Sequence, residues 1–428
     1  MTGRRVALVV VLTAAVVLLI AGLVTSPDAP PPGPGSGYRV VVLGVDGLDW
    51  FLLARYVEEG RMPAVGTLLR TGVSGELAPE IPAVPEVSWN AMMAGVAPTG
   101  SDVPGRPDAR YGAVPRVAGL VAAAGGSALV VNWPSSWPAA QSDWPLVAGF
   151  APRAESHVNE LAPAVFPGGP GHASNPGLES EIFDIAAGTE ERAAASFESI
   201  IALDEADPSG WEDHLTAARW SHLADLTALD VGVRLLAREE PELAMIHIAG
   251  LDAVSHRFLA PAAPEFFTDL PDEALRFEEV LPRYYEFVDR AVRRIMRLVD
   301  DETIFILCSA YGFHPSLDVP RISGTHADGP PGVFIVRGPR IQPLPEAASL
   351  HARDVAPTVL AMLGVEIPDD IEGRVVLEAL PAGLARERPP EFGPAPAPDF
   401  GTTQEPPELA AAREAAARRL SELRVEVE

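Results

Sequence analysis

The sequence predicts an α/β fold in which a central, mostly parallel sheet carries helices on both faces. Three observations predict it. Short β-rich apolar runs alternate with helical stretches along the body of the chain. The runs are continuous in hydrophobicity rather than alternating, as expected of strands covered on both sides. Apolar residues make up 47% of 428 positions, enough for a sizeable core and too many for disorder over most of the length.

The first expected strand is Arg39 to Val45 (RVVVLGV), followed in order by Ala128 to Asn132, Leu243 to Ile248, Thr303 to Cys308 and Gly332 to Val336. Helical stretches fall between them at Pro63 to Thr71, Glu86 to Ala94, Trp211 to Arg238 and Leu281 to Val299. Turn formers crowd Pro167 to Asn175, and prolines interrupt Pro261 to Glu273, so both read as loops or insertions. Trp133, Trp137 and Trp144 are expected to anchor loops into the core, and Met92 with Met93 to fill gaps in it. No internal repeat is present.

The ends of the chain differ from this body. Val6 to Val24 is an uncharged apolar run long enough at about 1.5 Å per residue to cross roughly 30 Å of hydrocarbon. Arg4 and Arg5 before it and Asp28 after it predict a cytoplasmic N-terminus (1–5), a transmembrane signal anchor (6–24) and an extracytoplasmic body, periplasmic or extracellular. A cleaved signal peptide is the competing reading, but the run exceeds the roughly 7 to 15 residues of such a segment's apolar region. Residues 25–37 form a Pro/Gly-rich linker, 38–385 the folded body, and 386–428 a Pro-rich tail with a short C-terminal helix.

Charge narrows the partners. The chain carries 59 acidic residues against 32 basic ones, a net −27, and no lysine occurs, so every fixed side-chain cation is arginine. Such a surface argues against nucleic acid, whose phosphates need clustered cations. The single Cys308 excludes an intrachain disulfide and any Cys-rich zinc module. The expected partner is the membrane, through the N-terminal helix.

In open α/β sheets ligands gather at the carboxyl ends of strands. Asp46-Gly47 follows the first strand there. Asp252 and His256 follow the LAMIHI strand at i, i+4, on one helical face, and His326 lies in a loop before the last strand. Asp252, His256 and His326 form a three-ligand set for zinc or a related divalent metal. Each also has a structural reading: Asp-Gly as a turn, Asp252 as a helix N-cap, His326 as a solvated loop residue.

Taken together, seven blocks make the chain resemble the type I phosphodiesterase and nucleotide pyrophosphatase family of the alkaline phosphatase superfamily. They run in order as VVVLGVDG (Val40 to Gly47), MPAVGTLLRTGVSG (Met62 to Gly75), VPEVSWNAMMAGVAPTG (Val84 to Gly100), HIAGLDAVSH (His247 to His256), ETIFILCSAYGF (Glu302 to Phe313), GTHADGPPGVFIVRGP (Gly324 to Pro339) and DVAPTVLAMLGVEIPDDIEGR (Asp354 to Arg374). The resemblance implies an alkaline-phosphatase-like fold and two metals flanking a Ser or Thr nucleophile at a helix N-terminus. One family metal maps onto Asp252, His256 and His326, all present. The other maps onto Asp46, the nucleophile, and an Asp-His pair, but that pair reads Ala310-Tyr311 and the nucleophile position reads Pro85. Ser88 lies one turn further along. Glu86, and Ser101-Asp102 in place of the family's His-Gly, add acidic groups where an anionic substrate would approach.

Three readings follow. The first is a catalytically impaired member, a pseudoenzyme that keeps the fold and one metal, expected to be zinc, and acts as an envelope binding or scaffold protein. The second is a phosphoester hydrolase with altered one-metal chemistry at Asp252, His256 and His326, in which Glu86, Asp46 or Tyr311 serves as base or orienting group. The third is an ordinary two-metal phosphodiesterase whose motif is aligned differently from the assignment above. Losing three catalytic groups together argues against the third.

Overall fold

In a computed structural model, residues 35–393 are described except 82, 99–115, 135, 137, 150–170, 202–209, 268–269, 317–322, 328, 345–349 and 388. The expected anchor at Val6 to Val24, its linker, Ser101-Asp102, Trp137 and the tail beyond residue 393 lie outside the described residues. No helix among the described residues is long and apolar enough to cross a membrane.

The central strand is β1 (Arg39–Val45), flanked in parallel by β5 (Leu243–Ile248) and β6 (Thr303–Cys308). Beyond β5 lie β3 (Ala128–Trp133) and β4 (Leu146–Ala148); beyond β6 lie β9 (Gly332–Arg337), β2 (Val73–Ala78) and β10 (Leu350–His351). The eight-stranded order is β10-β2-β9-β6-β1-β5-β3-β4, and β9 alone runs antiparallel to its neighbours. Between β6 and β9 the chain makes a two-residue pairing of β7 (His314–Pro315) with β8 (Gly324–Thr325).

The unbroken apolar runs have a direct cause. Val41, Leu43 and Val45 of β1 enter one core, whereas Val40 and Val42 enter a second core on the opposite face. Ala244, Ile246 and Ile248 of β5 likewise face the first, and Leu243 and Met245 the second. Each such side chain, taken fully out of water, contributes about 1.5–3 kcal/mol. The first core is covered by α1 (Trp50–Glu58), α2 (Pro63–Thr71), α5 (Pro176–Ile201), α6 (Glu212–Glu239), α7 (Gly250–Ala262) and α8 (Val280–Met296). The second is covered by α3 (Pro85–Ala94), α4 (Arg116–Ala123) and α9 (Val355–Leu363).

The strands at β1, β5 and β6 match their sequence-derived limits, and Met92 and Met93 are buried in the second core as expected. Trp133 is also buried there, but as the last residue of β3 rather than as a loop anchor. The prolines of Pro261 to Glu273 do not make a plain loop: α7 continues through Pro261, and two 3-10 turns follow at Pro264–Phe266 and Asp272–Phe277. At the far end, Phe392–Gly393 pairs with Ile367–Pro368.

Because β1, β5 and β6 are parallel and in register, with Val45 opposite Ile248 and Gly44 opposite Cys308, their carboxyl ends deliver Asp46, the start of α7 and the Ser309-Ala310-Tyr311 segment to one edge of the sheet.

Candidate metal centre

Helix α7 starts two residues after β5. Its N-cap position is Ala249, which offers no side-chain cap, and Asp252 sits in the first turn with His256 one turn on. Asp252 is therefore not the N-cap. His326 arrives from the other side, directly after β8. One ligand atom from each of Asp252, His256 and His326 lies within 4.8 Å of the other two, and no other such group of three His, Cys, Asp or Glu exists among the described residues. His256 Nε2 is 3.6 Å from Asp252 Oδ2, and His326 Nε2 is 3.6 Å from Asp252 Oδ1.

Both imidazoles are fixed through their far nitrogens. His256 Nδ1 is 2.8 Å from the Gly324 carbonyl, and His326 Nδ1 is 2.7 Å from the Ala83 carbonyl. A carbonyl only accepts, so each Nδ1 carries a proton and donates it, and each Nε2 faces Asp252. Burial, reinforced by the neighbouring His256, pushes His326 down to about 4, so it is neutral at ordinary pH. An N–H held by a carbonyl is the usual support of a metal-binding His. The residues present fit one divalent metal with two nitrogen and one carboxylate ligands.

Close packing explains the glycines around this trio. Gly47 has φ +69°, and a Cβ there would lie 2.9 Å from the Asp252 Cα and 2.6 Å from the Phe313 ring. The Asp46-Gly47 turn thus allows the β1 edge to press against the metal helix. A Cβ on Gly324 would lie 2.6 Å from the Ser255 carbonyl, so only glycine brings the Gly324 carbonyl this close to α7. Phe313 closes one side, edge-on to His256 at 4.9 Å and to His326 at 5.5 Å between ring centroids.

The neighbouring half is built differently. Pro85 is the first residue of α3, and Ser88 N–H donates to the Val84 carbonyl at 2.8 Å, an ordinary first helical turn. Ser88 itself is fully buried, with no hydrogen-bond partner for its hydroxyl. Glu86 lies in the same turn, and its side chain is outside the described residues. Asp46 is buried, and its Oδ1 accepts the Trp89 indole N–H at 2.8 Å. Trp89 packs edge-on against Trp133 at 5.3 Å and against His247 at 4.7 Å, and burial pushes His247 down to about 3, leaving it neutral. Ala310 and Tyr311 are fully buried, and the Tyr311 ring lies over His326 with centroids 4.4 Å apart. Asp46 does not join the cluster formed by Asp252, His256 and His326.

Residues 40–328 match the type I phosphodiesterase / nucleotide pyrophosphatase family. The chain belongs to this family. No curated protein matches it. Among solved structures it is similar to a sulfatase-like protein from Bacteroides thetaiotaomicron, with a TM-score of 0.50 at 12% identity over 85% of this chain and 76% of that one. Lower similarity, at a TM-score of 0.41 and 14% identity, relates it to a phosphonate monoester hydrolase from Silicibacter pomeroyi over 84% of this chain and 78% of that one. The family is metal-dependent, and among the described residues Asp252, His256 and His326 bring ligand atoms within 4.8 Å of one another.

Sequence reasoning missed the supports of the trio. The Ala83 and Gly324 carbonyls carry no sequence signal. Asp225 does: it is a carboxylate on the apolar face of α6, buried to 1% exposure, and it accepts the N–H groups of Ala249 and Gly250 at the start of α7. A charged residue inside the apolar stripe of an amphipathic helix is the pattern that flags it.

Proposed function

We propose that this chain is a membrane-anchored, extracytoplasmic member of the family in which the standard two-metal hydrolysis of phosphodiesters is impaired, while one divalent metal, zinc by ligand type, is held at Asp252, His256 and His326. The observation that carries this reading is the contrast within one site: three ligand atoms gathered within 4.8 Å on one side, and Pro85, Ala310 and Tyr311 on the other, where the family uses a nucleophile and an Asp-His pair. Proline has no nucleophilic atom. The methyl of Ala310 offers no ligand, and Tyr311 is packed as an aromatic face on His326. The apolar run Val6 to Val24 behind two arginines supports attachment to a membrane, and the body then meets phosphoester or envelope ligands outside the cytoplasm.

A second reading, a one-metal phosphoester hydrolase, is favoured by the way the two imidazoles are tied to carbonyls. A relic site gains nothing from holding both Nε2 atoms toward one carboxylate. When bound, a divalent metal supplies charge that polarises a phosphoester oxygen and lowers the pKa of a water. His256 and His326 have their Nδ1 protons committed to Gly324 and Ala83, so they orient rather than relay protons. Asp46, held by Trp89, is the described carboxylate at the end of β1 that remains for proton transfer.

Turnover separates the two. The full-length chain, purified in detergent and supplied with zinc, is assayed on an aryl phosphodiester and an aryl phosphomonoester. The impaired reading expects no hydrolysis above background. Zinc-dependent hydrolysis that survives Ser88→Ala and vanishes in His256→Ala replaces it with the one-metal hydrolase.

A further inference from the structure

The metal helix does not cap itself. Ala249 has no side-chain acceptor to offer the first turn of α7, and the groups that need one are served from a different helix. Asp225 Oδ1 accepts from Ala249 N–H at 2.8 Å and from Gly250 N–H at 3.0 Å, and Oδ2 accepts from Gly250 N–H at 3.0 Å and from the Tyr284 hydroxyl at 2.9 Å. Three helices thereby meet at one carboxylate: α6 brings Asp225, α8 brings Tyr284, and α7 brings the two amides. The fit leaves no slack. A Cβ on Gly250 would sit 1.9 Å from the Tyr284 hydroxyl oxygen and 2.6 Å from Asp225 Oδ2, so position 250 admits glycine alone.

Two residues beyond Gly250 is Asp252, and one turn beyond that His256. The first turn is pinned on a second side as well, where Gly47 brings the β1 turn against the Asp252 backbone. A rotation of α7 about its axis, or a slide along it, would move Asp252 and His256 together relative to His326, which is fixed independently by the Ala83 carbonyl. Ligand convergence depends on that relative placement. We propose that Asp225, held by Tyr284, is a positioning residue that sets the register of α7 and through it the affinity of the Asp252, His256 and His326 site for a divalent metal; this rests on the reading of that trio as a metal site.

The protein contains its own control. Asp289 on α8 is a second buried carboxylate, and it accepts the Ala64 and Val65 N–H groups at 2.8 and 2.9 Å at the start of α2, whose N-cap Met62 also lacks a side-chain cap. Helix α2 carries no member of the trio. Asp289→Asn and Asp225→Asn therefore make the same chemical change at two helix starts, one leading to the metal ligands and one not.

The test measures zinc affinity by chelator competition and the Co2+ absorption spectrum of the full chain, for the parent, Asp225→Asn, Tyr284→Phe and Asp289→Asn, with thermal unfolding alongside. Loss of a hydrogen-bonded support typically weakens metal binding about 10- to 100-fold. Asp225→Asn is expected to fall in that range and to shift the Co2+ bands, Tyr284→Phe to weaken binding by less in the same direction, and Asp289→Asn to lower the unfolding temperature with parental affinity and spectrum. Parental zinc affinity in a folded Asp225→Asn overturns the proposal, and so does an equal loss in Asp289→Asn. Should Asp225→Asn fail to fold, Tyr284→Phe decides: parental affinity and spectrum in that variant overturn it. A parent chain that takes up no zinc overturns the reading of the trio and this inference together, whereas parental binding unchanged by Asp225→Asn removes only the inference.

Discussion

The two halves of the site, which sit at the carboxyl ends of the same three parallel strands, have been treated in opposite ways. On one side Asp252, His256 and His326 each bring one atom of ligand type within 4.8 Å of the others, with both imidazoles tied to carbonyls through Nδ1. On the other, Asp46 is bonded to an indole, Trp89 packs edge-on against Trp133 and a neutral His247, and the Tyr311 ring lies against His326. The first half gathers three atoms of ligand type; the second is packed as core. Burying a carboxylate without a cation requires a hydrogen-bond donor in its place, and Trp89 provides one to Asp46. Aromatic packing of Trp89, Trp133, His247 and Tyr311 surrounds this side of the site.

The largest effect that separates the halves is on metal binding. Replacing His256 or His326 with alanine is expected to weaken zinc binding more than about 100-fold, beyond the loss typical of removing only a supporting hydrogen bond. Titration calorimetry on the purified variants reads this directly, and Trp89→Phe serves as the counterpart. Removing the indole donor from buried Asp46 should cost about 1–3 kcal/mol of stability in urea unfolding while leaving zinc affinity unchanged. A Trp89→Phe chain with parental stability but weakened zinc binding would join the two halves into one functional unit and break the comparison.

Much of this was legible in the sequence. The limits of β1, β5 and β6 follow from unbroken Val, Ile and Leu runs, which only strands buried on both faces need. The trio follows from an i, i+4 pair after a strand and a later His. Other parts were hidden for physical reasons. Helix α5 places Leu178, Ile182, Phe197 and Ile200 in the core, but Pro176, Gly177 and Gly188 with scattered Ser and Thr obscure its period. Strand β2 contains Gly75 and Glu76, residues that disfavour strands, and forms because β9 pairs with it along its length. The Trp89 bond to Asp46 joins residues whose pairing no local pattern announces.

Acid stability gives a smaller effect. Burial, with Arg290 adding to it, pushes His222 down to about 4, while an unfolded histidine titrates near 6.5. Between these values the unfolded chain binds the proton and the folded one does not, so stability rises with pH across the window and falls on acidification. Asp225, raised to about 7 by burial, works in the opposite direction, its retained proton favouring the fold as pH drops from about 7 toward 3.8. His222→Phe should therefore flatten the acid side of the stability profile by at most about 1.4 kcal/mol per pH unit relative to the parent. Urea midpoints at a series of pH values measure the difference, and an unchanged slope contradicts it.

The smallest effect is expected at Ser88. Its hydroxyl is buried without a partner, so Ser88→Ala should change stability by no more than about 0.5 kcal/mol in the destabilising direction and leave zinc binding as it is. A large loss of zinc affinity in Ser88→Ala would return the hydroxyl to the site and favour the ordinary phosphodiesterase.

The most direct test of the asymmetry is the number of metal ions the full-length chain holds. Native mass spectrometry of the zinc-loaded protein, with His256→Ala beside it, counts them without reference to any substrate. The account predicts one zinc per chain in the parent and none in His256→Ala. Two zinc ions per chain, or one that persists in His256→Ala, would contradict it.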